Sequence, residues 1–246
     1  MNHNKIFVRI LYVMKQEQKT ANTVLKDVEK EKMIEIIGNV KKRRHYEHTS
    51  GFLSKEESDW LYAKLLKEVP WRQVVYYKPE RGLVTTPRLT WCTGFHQPEY
   101  HDIYLPLKVT PQPIPNWLLP LKQQVEEYTD QDYNFVLYSM YRDGKDSIAY
   151  HSDDEKFLGK KPKIASVTVG ATRLFCLKQK QSRKVQKFEL AHGDLFLMKN
   201  NCQSDYLHSV PKVTNCLPRI SLTFRKALSE AGSKNYYRYN YLDKVL

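Results

Sequence analysis

The apolar positions of this 246-residue chain change their spacing as the chain proceeds. Over residues 1–44 they keep no strong period, and only Val24–Ile37 spaces as a short helix. From residue 54 the spacing becomes helical. Trp60, Leu61, Leu65, Leu66 and Val69 follow Ser54-x-x-Glu57, the signature of a capping box, and Pro70 stops the run, so residues 54–69 are predicted to be a helix. Residues 71–77 and 88–93 have the β-branched and aromatic content of strands, with a turn at Arg81-Gly82 between them. Residues 94–115 hold five prolines among several aromatics and predict a rigid, irregular surface loop. Trp117, Leu118, Leu121 and Val125 put one apolar side on 116–128, a second helix. Beyond it come short strands and turns: 134–141, 147–152, 164–170, 172–178, 185–190, 194–199, 205–210 and 219–225. Two helices followed by eight closely spaced strands predict an α+β domain, an antiparallel barrel or jelly roll with the helices on its outer face.

Composition adds a partner. Forty Lys and Arg against 27 Asp and Glu give a formal charge of +13, which favours a polyanion such as nucleic acid over a merely basic soluble protein. Residues 1–44 carry 11 Lys/Arg against 5 Asp/Glu and end in Lys41-Lys42-Arg43-Arg44, a run read by import receptors or phosphates, or else a solvated tail. A boundary is expected here, with 1–44 a basic tail, partly disordered or briefly helical, and 45–246 the folded domain. Cys92, Cys176, Cys202 and Cys216 form no C-x-x-C pair and suit a reducing compartment, nucleus or cytoplasm. The apolar residues Ile6–Met14 are broken by Arg9, and no apolar run nears the roughly 18 residues of a membrane span. The expected partner set is nucleic acid and no membrane, with the chain acting as a monomer.

The chemistry gathers at His151 and Asp153. Alternate side chains of a strand share a face, so the two would project together, and His208 could complete a 2-His-1-carboxylate set with open positions on iron(II). A second H-x-D, His192-Gly193-Asp194, reads as a hairpin tip because of its glycine. On the last strand Arg219, Ser221, Thr223 and Arg225 share one face, while Ile220, Leu222 and Phe224 share the other. Two arginines on the inner face of an apolar strand need anions, and a guanidinium fork suits a carboxylate; a surface strand with solvated arginines is the alternative. By the same parity Leu137, Ser139 and Tyr141 face one way, and the Tyr141 hydroxyl can reach that pocket. Residues 156–187 hold ten Lys/Arg and no Asp/Glu, a surface able to track phosphates.

These residues resemble the AlkB-type iron(II)/2-oxoglutarate dioxygenases, above all the animal homologues that repair alkylated DNA and RNA. The likeness is carried by P-R-L-T at 87–90, Y-R-D-G at 141–144, H-S-D-D-E at 151–155, I-A-S-V-T-V-G-A-T-R at 164–173, D-Y-L-H-S-V-P at 205–211 and P-R-I-S-L-T-F-R at 218–225. It spans roughly residues 50–227. The resemblance implies a double-stranded β-helix and oxidative removal of N-alkyl groups, as from 1-methyladenine and 3-methylcytosine. The products would be succinate, CO2 and formaldehyde. It implies that His151, Asp153 and His208 bind Fe(2+), and that O2 and 2-oxoglutarate are co-substrates. Arg219, Tyr141, Arg225 and Thr223 would hold 2-oxoglutarate. Ser139 and Ser221 stand in the same pocket where the family usually has asparagine. Asp154, Glu155 and Arg88 would lie beside the target base, and Tyr100 and Tyr104, ahead of Phe95, would stack on it. An RNA- or tRNA-specific enzyme and a non-catalytic nucleic-acid-binding relative stay open as alternatives.

Overall fold

The structure is a computed structural model and describes residues 26, 30, 44–78, 82–94, 100–101, 108–109 and 112–228. The chain divides into two units, Met1–Arg44 and His45–Leu246. Of the helix expected at Val24–Ile37 only Lys26 and Lys30 are described, and both are helical. Every described strand belongs to the second unit.

Strand β1 (Tyr46–Thr49) precedes helix α1 (Lys55–Glu68), strands β2 (Arg72–Lys78) and β3 (Gly82–Gly94), and a short pair β4 (Tyr100–His101) and β5 (Lys108–Val109). Helix α2 (Leu119–Thr129) follows, then β6 (Phe135–Tyr141), β7 (Ile148–His151), β8 (Ile164–Gly170), β9 (Arg173–Gln179), β10 (Val185–Leu190) and β11 (Leu195–Met198). One helical turn, α3 (Cys202–Asp205), leads into β12 (Tyr206–Val210), and β13 (Arg219–Arg225) closes the domain.

The eight strands from β6 onward are shared between two antiparallel sheets. One has the order β1-β11-β8-β13-β6-β3-β2, the other β10-β9-β12-β7. Strands 6, 8, 11 and 13 lie in the first and 7, 9, 10 and 12 in the second, so the chain passes back and forth as a double-stranded β-helix. The predicted α+β jelly roll is the fold. Its reason is the period of two. On β6 and β13, Val136, Tyr138, Ile220, Leu222 and Phe224 pack outward against Leu61 and Leu65 of α1 and Val125 of α2. The alternate residues face the second sheet, where Phe175 and Leu177 of β9 meet Phe135, Leu137 and Tyr141. Helix α1 starts as expected: Ser54 Oγ accepts from Glu57 N at 3.2 Å, and Glu57 Oε2 accepts from Ser54 N at 2.8 Å. Its apolar stripe is wider than the buried face, and Trp60 and Leu66 stay exposed.

Several boundaries differ from the sequence reading. β1 has no counterpart in the hydrophobic pattern; it adds an edge to β11, with Glu47 opposite Leu197. β3 begins at Gly82 and runs through Pro87, which sits where the ladder with β2 is interrupted between Gln73 and Val75. The segment 94–115 holds its own ladder, Tyr100 opposite Val109. Asp205, expected in a strand, ends α3 instead. Among the described residues no helix is long and apolar enough to cross a membrane.

Candidate active site

β7 and β12 are antiparallel neighbours in the smaller sheet, and His151 and His208 are direct partners in their register. The two imidazoles are therefore adjacent, with ring centroids 4.1 Å apart. β7 ends at His151, so Asp153 is not brought in by strand alternation; it lies in the segment that follows, where its N–H donates to Gln203 Oε1 at 2.8 Å. Asp153 Oδ1 is 3.5 Å from His151 Nε2 and 3.8 Å from His208 Nε2, and the three ligand atoms lie within 4.8 Å of one another.

Two of the three candidate ligands are held by a further group. His151 Nδ1 stands 2.9 Å from Ala149 O; a carbonyl only accepts, so Nδ1 carries the hydrogen and Nε2 is the nitrogen turned toward Asp153. Arg225 Nη2 donates to Asp153 Oδ2 at 2.7 Å and leaves Oδ1 for the histidine side. Burial would push the Asp153 pKa up, but Arg225 and the two imidazoles outweigh it and hold the carboxyl well below the usual carboxylate range. Burial lowers His208 to about 4, with Asp153 opposing, so the ring is neutral at pH 7 and free to ligate. Two imidazole nitrogens and one carboxylate oxygen on one side of a point fit a metal such as iron(II) and leave its other positions open.

Next to this cluster is a cavity of about 140 Å³. β6 and β13 supply one wall in register: Tyr141 pairs with Arg219, Ser139 with Ser221 and Leu137 with Thr223. All six line the cavity, as do Arg225, Arg88, Glu155 and Ser166. Ser221 Oγ is 2.7 Å from Ser166 Oγ. Arg219 is only 2% exposed; its Nη2 donates to Thr168 Oγ1 at 2.8 Å and its guanidinium lies 5.3 Å from the Tyr141 ring centroid. Among the described residues no carboxylate pairs with it and its Nε has no partner. Burial pulls its pKa down, with Tyr141 opposing and the Arg173 cation adding to the fall. A small dianion with a carboxylate to present would supply a counter-ion.

Residues 45–225 match the sequence model of the 2OG-Fe(II) oxygenase superfamily. The chain is 38% identical over 188 residues to the mouse "Alpha-ketoglutarate-dependent dioxygenase alkB homolog 3", covering 71% of this chain and 63% of that protein. It is 39% identical over 188 residues to the human "DNA oxidative demethylase ALKBH2", covering 71% and 70%. The chain belongs to the AlkB family of 2OG-Fe(II) oxygenases. It spans less than two thirds of the mouse relative's length. Its fold matches the solved "structure of OsALKBH1" with a TM-score of 0.55 at 16% identity, over 75% of this chain and 99% of that one. Membership brings iron(II) as metal and 2-oxoglutarate as co-substrate, and the donor set and the unpaired Arg219 agree with both.

In this AlkB-family domain the sequence-predicted residues fall into three groups. The triad, Tyr141, Ser139, Ser221, Thr223, Arg219, Arg225, Glu155 and Arg88 meet at the cavity. Asp154 is exposed and does not line it, because the segment after β7 turns Asp153 inward and its neighbour outward. Tyr104 and Phe95 lie outside the described residues, as does the side chain of Tyr100. The expected hairpin tip at His192-Gly193-Asp194 is instead a corner between the two sheets, from β10 to β11. Gly193 adopts φ +87° there, and buried Asp194 accepts from Ala191 N and Gly51 N, each at 2.9 Å. These bonds, with His48 Nε2 at 2.9 Å, tie Asp194 into the fold.

Arg173, which the charge of 156–187 assigns to a basic surface, is buried. Its guanidinium donates to Asp143 O at 3.0 Å, Asp146 O at 2.9 Å and Pro211 O at 2.8 Å, and lies 5.6 Å from the centroid of the Tyr141 ring, the residue paired with Arg219. It thus fixes the turn after β6 and the end of β12. Gly144 in that turn has room for no side chain, since a Cβ would meet Val213 O at 2.0 Å. The remaining basic side chains are at the surface: Arg183, Lys184 and Lys187 are exposed at and after the β9–β10 turn, while Lys180 Nζ is tied to Gln203 O at 2.9 Å.

Proposed function

We propose that this chain is an oxidative demethylase of alkylated nucleic acid, acting on N-methylated bases such as 1-methyladenine and 3-methylcytosine in DNA or RNA. The observation that carries the reading is the triad of half-buried His151 with buried Asp153 and His208, set beside a cavity whose wall presents Arg219 with no anion. In this reading the triad holds iron(II), with Arg225 orienting Asp153. Arg219 and the Tyr141 hydroxyl take the far carboxylate of 2-oxoglutarate, and Arg225 and Thr223 flank the other end. With iron(II) bound, 2-oxoglutarate and dioxygen supply the oxidation: one oxygen atom enters the N-methyl C–H bond and the other enters succinate as CO2 leaves, after which the hydroxymethyl group departs as formaldehyde. The residues bind, orient and exclude water. Glu155 and Arg88 also line the cavity, and in this reading they accept from or donate to the edge of the base. Such a base must be unstacked first.

Nucleic acid as substrate rests on the +13 charge and on the exposed cations at the β9–β10 turn. The human relative, a DNA oxidative demethylase, points the same way. We place the protein in nucleus or cytoplasm, consistent with four free cysteines, and read it as a monomer. The test is formaldehyde and succinate release with iron(II), 2-oxoglutarate and oligonucleotides carrying either lesion in single-stranded DNA, duplex DNA and RNA. Turnover on at least one is expected, lost in Asp153→Ala together with iron binding. Full turnover in Asp153→Ala, or none on any alkylated oligonucleotide by the iron-loaded native chain, overturns the reading.

A further inference from the structure

The helices of this domain leave part of their apolar surface unused. α1 and α2 lie on the outer face of the larger sheet, against Val136, Tyr138 and Leu222, whereas the cavity opens on the inner face through Ser139, Ser221 and Thr223. Between the helices runs a groove of about 430 Å³ whose apolar lining is Leu53, Trp60, Leu61, Trp117, Pro120 and Leu121. Trp60 is 54% exposed and meets Trp117 edge to face, with ring centroids 6.5 Å apart. Leu66 of α1 and Leu119 of α2 are each 43% exposed on the same two helices. A half-exposed tryptophan on the rim of an apolar groove is the kind of residue that anchors a protein partner, since burying it there would displace water from both indoles.

Charge says what would fill it. On the two helices Lys55–Asp59, Lys64–Glu68 and Lys122–Glu126 pair four residues apart and cancel. What remains among the lining residues is Glu56 and Glu57; a nearby cation, Lys64, lies 6.0 Å from the Trp117 ring centroid and is paired with Glu68. Glu57 uses one oxygen on Ser54 N; Glu56 is exposed. An acidic, apolar groove in a chain of formal charge +13 is a local reversal of sign. It would attract a cation that the rest of the surface repels.

We propose that the α1–α2 groove docks a lysine- or arginine-rich segment of a partner protein that lays one large apolar side chain against Trp60 and Trp117 and sets its cations against Glu56 and Glu57. Because the groove and the cavity lie on opposite faces of the sheet, the partner and a nucleic acid bind at the same time. The inference does not depend on the reaction assigned to the cavity.

The test uses the full chain and a fluorescently labelled amphipathic peptide of lysine, leucine and one phenylalanine, followed by anisotropy. A non-specific cationic peptide is repelled by the chain's net charge, so saturable binding reports the groove. Binding is expected to weaken about tenfold or more in Trp60→Ala and in Glu56→Lys, and to vanish for the peptide with glutamate in place of lysine, while both variants keep the native unfolding midpoint. Equal binding by native chain and variants, or no saturable binding, overturns the proposal. So does a native dimer in sedimentation that Trp60→Ala dissociates, which would give the groove to a second copy. Binding seen only after residues 1–44 are removed would give it to the chain's own basic segment and overturns the proposal as well.

Discussion

Arg219 is a buried cation whose neighbours are a threonine hydroxyl and the face of an aromatic ring. Neither neutralises it, so the free protein carries a charge that is costly to bury until an anion arrives. Arg219→Ala is accordingly expected to raise the KM for 2-oxoglutarate by about tenfold to a hundredfold, the weight of a charged hydrogen bond of roughly 1.5–3 kcal/mol. The same variant should lose the rise in unfolding temperature that 2-oxoglutarate gives the native chain, without lowering the midpoint of the ligand-free protein. An unchanged KM would remove Arg219 from the pocket. Arg173 makes the opposite case. Its guanidinium answers three backbone carbonyls, so Arg173→Ala leaves buried acceptors and should cost about 3 kcal/mol in urea unfolding, with Arg173→Lys recovering only part. The two arginines also differ in how far the sequence disclosed them. Arg219 and Arg225 stood out because Ile220, Leu222 and Phe224 between them fixed which face was inward. Arg173 opens a strand whose first residues show no such contrast, and its three acceptors come from two distant turns, so nothing local distinguishes it from a surface cation.

Elements were legible where a period had room to repeat. The seven-residue strands β6, β8 and β13 and the fourteen-residue α1 stand where the spacing puts them. Four-residue β1 is half-buried throughout, and four-residue α3 is a single turn, so neither carries a pattern. Asp153 reached the histidines by a route the spacing did not describe: the strand stopped early, and a backbone bond to Gln203 of α3 turned the carboxylate inward. The β9–β10 turn was visible as a charge run, but its individual cations were not sorted. Lys178 sits 3.9 Å from the Tyr150 ring centroid and Lys180 is tied to a carbonyl, which leaves Arg183, Lys184 and Lys187 as the exposed set. Replacing these three with alanine should weaken oligonucleotide binding and flatten its dependence on salt, by about 0.7 in log–log slope for each phosphate of a single strand that is no longer neutralised. The 2-oxoglutarate KM should not move. A salt slope equal to that of the native chain would take the turn out of the interface.

At the scale of the molecule the question is what residues 1–44 add. They carry 11 Lys/Arg against 5 Asp/Glu, a net +6 (11 − 5) of the total +13. The double-stranded β-helix does not draw on them for any described strand; its first, β1, begins at Tyr46 and completes the edge beside β11. A fragment that starts at Arg44 should therefore unfold with the midpoint of the full chain and keep its 2-oxoglutarate KM, since every residue of the cavity wall is retained. Its affinity for an oligonucleotide should fall severalfold at low salt and converge with that of the full chain as salt rises, because long-range attraction between exposed charges is screened within about 8 Å at physiological ionic strength. Parallel salt titrations of the two proteins, with thermal unfolding of each, separate the outcomes. A lower midpoint would mean that the segment is part of the fold and that the boundary lies earlier. Equal affinity at every salt concentration would mean that its basic residues face something other than nucleic acid.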